Sequence, residues 1–248
     1  MLFRSPYGGP DGHAPALDRV LDGPLSTHGE VALAYAHRAE TVRRLSKSVH
    51  DKDEDAAVRL RRARMLAILG SAAGEPELLA ALKAAKGWDE GWNYRGMGQF
   101  GRSLSPLDDV VVCLGRIGAA KAAPAVLKLA AAISPDTELS HVRAFALYAE
   151  GLAKDTALRP KLARALSKAL AAVGPLHVCP TLADDLATLD DNWCNTSVRN
   201  ASLKELFLAR ALMRCGDDAK KSGAAALRAY AGDVRGQFAA SATAAATT

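Results

Sequence analysis

The sequence predicts an all-α fold of stacked antiparallel helix pairs, an α-solenoid of about four pairs. Three observations point there. Apolar residues recur at i, i+3, i+4 and i+7 over most of the chain beyond Gly29, the period of one helix face. Glycine closes one stripe shortly before the next opens, at Leu69-Gly70, Ile117-Gly118 and Cys215-Gly216. Neither hairpin turn signals nor strand–helix alternation occurs, which argues against a parallel α/β sheet. Stops of this kind, at irregular intervals, suit HEAT-like repeats spread apart by insertions.

Residues 1–28 hold Pro6, Gly8, Gly9, Pro10, Gly12 and Pro15 and read as an irregular or disordered lead-in. The helical-repeat domain is expected over residues 29–240, with a frayed Ala/Thr tail at 241–248. A first helix covers Gly29 to about His50. The stripe of Val58, Met65, Leu66 and Leu69 makes a second, and Leu78, Leu79 and Leu82 a third. Ser105 can cap the next, with Pro106 at its first position and Asp108 and Asp109 where the helix dipole favours acids. Its face is Leu107, Val110, Val111 and Leu114; its partner starts near Pro124 and carries Val126, Leu129, Ala130 and Ile133. Another pair begins about Ser140, with Val142, Phe145, Ala146 and Ala149, and returns through Leu158, Leu162, Leu166 and Val173. Leu176 to Asn200 is less regular, with one short helix near Leu182–Leu189. A capping box, Ser202-x-x-Glu205, opens the last pair; Leu227, Tyr230, Ala231, Val234 and Phe238 form its return stripe.

The 248 residues are enough for one or two domains and a sizeable core. The net charge is +5, but basic residues are scattered among acids. Arg59, Arg61, Arg62 and Arg64 form the one short run, read as the wet side of a helix, so no nucleic-acid partner is expected. Cys113, Cys179, Cys194 and Cys215 include no C-x-x-C pair. Cys113 and Cys215 lie in apolar stripes as small buried hydrophobes, and no metal site is expected. Nothing approaches the length of a membrane span, and Met1–Pro6 lacks the apolar core of a signal peptide. A cytoplasmic protein without a membrane partner is the expectation, whether the chain is whole or a piece of a longer one.

Aromatics are only 5% of the chain, so the segment from Trp88 to Arg102 stands out. It gathers Trp88, Trp92, Tyr94 and Phe100 with Gly91, Gly96, Gly98 and Gly101. Three readings are open: an inter-helix loop pinned by its own aromatics, a protein interface, or a contact for a planar ligand. His141 at a helix start and His177 after Gly174-Pro175 read first as hydrogen-bonded structural histidines. Catalytic motifs are otherwise missing. Gly96-x-Gly98-x-x-Gly101 has the bare glycine pattern of a dinucleotide loop but follows Trp-Asn-Tyr-Arg rather than a strand. Asp108/Asp109 and Asp184/Asp185 suit helix N-termini better than an acid–base pair.

Gly91-Trp92-Asn93-Tyr94-Arg95-Gly96-Met97-Gly98-Gln99-Phe100-Gly101, followed by Ser103-x-Ser105-x-Leu107-Asp108, resembles the C-terminal region of large bacterial FAD-dependent oxidoreductases. Leu114-Gly115-Arg116, Ser140-His141-x-Arg143-Ala144, Leu203 to Asp217 and Tyr230 to Ala239 fit the same pattern, from roughly Ala63 to Ala240. The resemblance implies a helical-repeat module that follows a flavin-binding domain, and that domain is not in this sequence. FAD is implied for the parent family only; no cofactor is expected in this chain. Catalytic residues do not carry over, so whether the chain is itself an enzyme is left open. The expected partner is a flavin-binding domain or another protein. The expected interface is Trp88, Trp92, Asn93, Tyr94, Arg95, Gln99, Phe100, His141 and Arg143, with Trp92 and Arg95 as anchors. A free-standing HEAT-like interaction scaffold is the alternative, and a helical-repeat DNA binder a third.

Overall fold

The computed structural model describes residues 34–94, 104–174, 176–189 and 196–247. Arg95, Gln99, Phe100 and Cys194 lie outside the described residues, as do the Gly96, Gly98 and Gly101 pattern and the lead-in at 1–28. Among the described residues every regular element is helical, as expected. The chain divides into two compact units, Met1–Ala80 and Ala81–Thr248.

In the first unit, α1 (Arg38–Ser48) packs on α2 (Ala56–Ile68). Thr41 and Leu45 of α1 and Ala63, Met65, Leu66 and Ala67 of α2 are buried. Arg38, at the start of α1, donates to the Leu69 carbonyl at the end of α2 (2.7 Å). Arg62 of α2 donates to the Ser48 carbonyl at the end of α1 (3.1 Å), so the pair is antiparallel and one C-terminal carbonyl of each helix meets a cation. Arg59 and Arg62 of the basic run also meet Glu77 and Glu54. Gly70 adopts φ +76° to end the helix. α3 follows at Glu75–Ala84.

The second unit continues with α4 (Pro106–Arg116), α5 (Ala123–Ala130), α6 (Leu139–Gly151), α7 (Arg159–Ala172), the short α8 (Leu182–Leu186), α9 (Thr196–Cys215), α10 (Asp217–Ala231) and α11 (Gly236–Ala246). α4 packs on α6, α6 on α9, and α9 on α11. α5 packs on α7, and α7 on α10; α9 lies against both α7 and α10. Val111, Leu114, Val126, Val142, Phe145, Leu162, Leu166, Leu208 and Leu212 are fully buried between these helices. α4 and α6 cross with their backbones in contact. A Cβ on Gly115 would lie 2.5 Å from the Tyr148 Cα, and one on Gly151 would run into the Gly115 carbonyl.

Three local expectations change. α9 starts at Thr196, so Ser202 and Glu205 lie inside it rather than at its cap. Their side chains are committed to an incoming strand of chain: Ser202 donates to the His177 carbonyl (3.1 Å) and Glu205 accepts from the His177 amide (2.9 Å). The expected return stripe from Leu227 to Phe238 is two helices, broken at Gly232–Arg235, where Asp233 accepts from the Cys179 amide (3.0 Å) and pairs with Arg235. Helix also continues past residue 240 to Ala246, because Ala242 and Ala245 pack into the cluster of Tyr230, Phe238 and Leu227.

Candidate functional site

The segment 88–94 is pinned to three helix starts. Ser105 and Asp108 form a reciprocal capping box at the N-terminus of α4. The Asp89 carboxylate extends it by accepting from the Leu107 amide (3.1 Å). At the start of α6, the Asn93 side chain accepts from the Leu139 amide (2.8 Å). Trp92 bonds Ser140 twice, its amide donating to Oγ (2.9 Å) and its carbonyl accepting from the Ser140 amide (3.0 Å). The Asn200 side chain accepts from the Tyr94 amide and donates to its carbonyl, both at 2.8 Å. Orphan helix donors are thus satisfied by a loop rather than by water.

His141 is the centre of this arrangement. Its Nδ1 lies 2.7 Å from Asp108 Oδ1 and its Nε2 3.0 Å from the Asp89 carbonyl. Its ring stacks on Trp88, centroids 4.6 Å apart and planes 15° from parallel. The Trp88 indole donates in turn to the Leu129 carbonyl (3.1 Å). Gly91 passes so close that a Cβ there would lie 2.5 Å from His141 Nε2, which accounts for a glycine at this point of the motif. Both ring nitrogens face oxygen acceptors, and both side chains of the pair are buried, 1% and 0% exposed. An imidazole so placed needs a proton on each nitrogen. Burial pushes the His141 pKa down, but the Asp108 carboxylate and the Asp89 carbonyl outweigh it and hold it above the ordinary value. Burial pushes Asp108 up, and hydrogen bonds from His141, Ser140 and the Ser105 amide hold it below its ordinary value. With both nitrogens engaged, His141 has no lone pair to offer as a general base.

Of the residues singled out from the sequence, Trp88, Trp92, Asn93 and His141 come together at the start of α6. Tyr94 turns to α9, where Arg199 stacks over its ring at 4.0 Å. Arg143 faces another way, over the ring of Phe207 at 5.6 Å. Sequence reasoning missed Asp89, Ser140 and Asn200 as the groups that hold the loop, and took Asp108 only as a dipole acid.

A second buried polar cluster was also missed. Glu205, fully buried, accepts from His177 Nδ1 (2.6 Å), the His177 amide and the Tyr230 hydroxyl. Burial and the neighbouring Glu205 push the Tyr230 phenol well above its ordinary pKa. Asp233 and Arg235 pair beside it, with Arg235 over the Phe238 ring at 4.5 Å. The stretch from Tyr230 to Phe238 already carried the resemblance; its charged pair at i, i+2 was the available signal.

A groove of about 320 Å³ lies beside Trp88, with Leu82 and Leu129 in its lining. Among the described residues no group of His, Cys, Asp or Glu side chains is arranged to hold a metal ion, and no helix is long and apolar enough to cross a membrane. Cys113, Cys179 and Cys215 are buried. No protein-family model, curated protein or solved structure matches this chain.

Proposed function

We propose that this chain is a HEAT-like docking module, akin to the C-terminal part of an FAD-dependent oxidoreductase, which binds a flavin-binding domain supplied by another chain. The supporting observation is the packing order of the second unit. α4, α6, α9 and α11 touch in succession, and α5, α7 and α10 do the same. Two rows of helices, each touching the next repeat's counterpart, are what a solenoid requires. Such rows serve to present extended surfaces rather than to build a catalytic cavity. The pinned segment 88–94 holds Trp92 at the start of α6 and Tyr94 against α9, and rigid aromatics of this kind suit a low-entropy contact with a partner.

The test uses the purified chain and the isolated flavin-binding domain of a two-domain oxidoreductase that carries the same aromatic–glycine motif. The expected result is a complex detected by titration calorimetry, the chain alone being colourless. Trp92→Ala or Arg95→Ala should each weaken it by about 2 kcal/mol. Absence of a complex, or unchanged affinity with a collapsed melting temperature, would leave the loop a purely internal brace and defeat the reading.

A further inference from the structure

The outward side of α6 and α9 carries a charge imbalance that the fold does not resolve. Arg199, Phe207, Arg210 and Arg214 fall on one stripe of α9 at helical spacing, and Arg143 and Glu150 on one stripe of the adjoining α6. Arg210 and Arg214 both converge on Glu150, so that carboxylate is taken. Arg143 and Arg199 have no carboxylate partner among the described residues, and the Nε of each is buried without a hydrogen bond. Each instead lies over a ring, Arg143 at 5.6 Å from the Phe207 centroid and Arg199 at 4.0 Å from that of Tyr94. The remaining acid near Arg143, Asp108, is already neutralised by His141. Burial and the charge of Arg210 together push the Arg143 guanidinium below its ordinary pKa, a second sign that an anion is missing here.

We infer that this face docks an acidic polypeptide segment, whose carboxylates bond Arg143 and Arg199 while its apolar side chains cover Phe207 and Tyr94. The inference rests on the docking-module reading and names the chemistry of the partner surface. A guanidinium presents a planar fork suited to bidentate carboxylates. The aromatic ring beside each gives a peptide apolar contacts that a phosphodiester backbone would leave unused. Lys204, on the same helix, is buried and bonded to the Pro135 carbonyl, leaving arginine to face outward.

The experiment titrates the full chain into a fluorescein-labelled peptide of alternating glutamate and leucine pairs and follows anisotropy at low and near-physiological salt. Its counterpart with lysine for glutamate, and a single-stranded DNA oligonucleotide of equal charge, are run in parallel. The glutamate peptide should bind, more weakly as salt rises. Arg143→Ala and Arg199→Ala should each reduce affinity about tenfold, while Lys168→Ala, at an exposed position of α7, should leave it unchanged. Arg143→Glu should shift preference toward the lysine peptide. Arg199→Ala keeps the test valid if the Arg143 variants fail to fold. No binding of the glutamate peptide, equal binding by the arginine variants, or equally tight binding of the oligonucleotide would overturn the inference. A flavin-binding domain captured with unchanged affinity by both alanine variants would sink it and leave the docking-module reading standing; peptide binding without flavin-domain capture would do the reverse.

Discussion

Asp108→Asn removes the charge from the buried pair and almost none of its volume. In the native chain the carboxylate accepts from His141 Nδ1 at 2.7 Å and from the Ser105 amide at 2.9 Å. The amide oxygen of asparagine can keep the capping bond, but the buried imidazolium, 1% exposed, then keeps only the half-exposed Glu138 carboxylate, 3.5 Å from Nε2. Removing one partner of a buried ion pair costs about 3–5 kcal/mol. His141 can relieve part of this by losing its Nδ1 proton, so the lower end, about 3 kcal/mol, applies. For a unit of this size that is a fall in Tm of roughly 6–12 °C. The pH dependence follows from the two shifts. His141 is raised, so its contribution is complete below the ordinary value of 6.5 and fades as pH rises through the folded value. Asp108 is lowered, so its contribution is complete above 3.8 and fades as pH falls through the folded value. The gap between native and variant is therefore widest between about pH 4 and 6.5 and narrows in alkali. Thermal unfolding followed by circular dichroism at pH 6 and pH 9 measures it. A drop under about 2 °C at pH 6, or a gap that widens from pH 6 to pH 9, would refute the charged pair.

Gly115→Ala should cost about 3 kcal/mol, the upper end for overpacking, because the new methyl group meets the Tyr148 backbone rather than a flexible side chain; a denaturant midpoint lowered with an unchanged slope checks it. Asn200→Ala strips both partners from the Tyr94 backbone and should lose about 2 kcal/mol, read as faster hydrogen exchange at Tyr94 while α6 keeps its protection. Cys215 is 1% exposed, and burial together with Glu150 pushes its thiol up to about 11. Ellman's reagent at pH 8 should therefore leave Cys215 unmodified in the native chain and label it fully in denaturant; peptide mapping distinguishes it from Cys194.

Local chemistry was legible where it acts locally. Ser105, Pro106 and Asp108 announce the start of α4 within four positions, and Gly70, Gly118 and Gly216 each take a positive φ where a helix stops. The Ser202-x-x-Glu205 pattern misled because the same two side chains serve partners 25 to 28 residues away in sequence, at His177 and Tyr230. Periodicity likewise ran Leu227 to Phe238 together, since nothing in the stripe reveals that Asp233 is held by Cys179. At the loop, composition drew attention to Trp88, Trp92 and Tyr94, but Asp89, Ser140 and Asn200 are ordinary polar residues in sequence. Their roles exist only once separations of 18 to 106 residues have closed. Arg143 was singled out for the same surface as the loop, yet α6 turns it toward Phe207 of α9, a direction fixed by helix packing rather than by neighbours in sequence.

The clasp between Tyr94 and Asn200 spans 106 residues, and synthesis on the ribosome is vectorial. At about 5–20 residues per second, roughly 5–20 s separate the emergence of the loop from that of its last anchor. During that interval Asp89 and Asn93 can already grip α4 and α6, but the Tyr94 end hangs loose with its ring uncovered. The newborn chain thus passes through a stage with one end of this aromatic segment unfastened. A chaperone or a cognate chain made nearby would meet it open before the finished protein closes it.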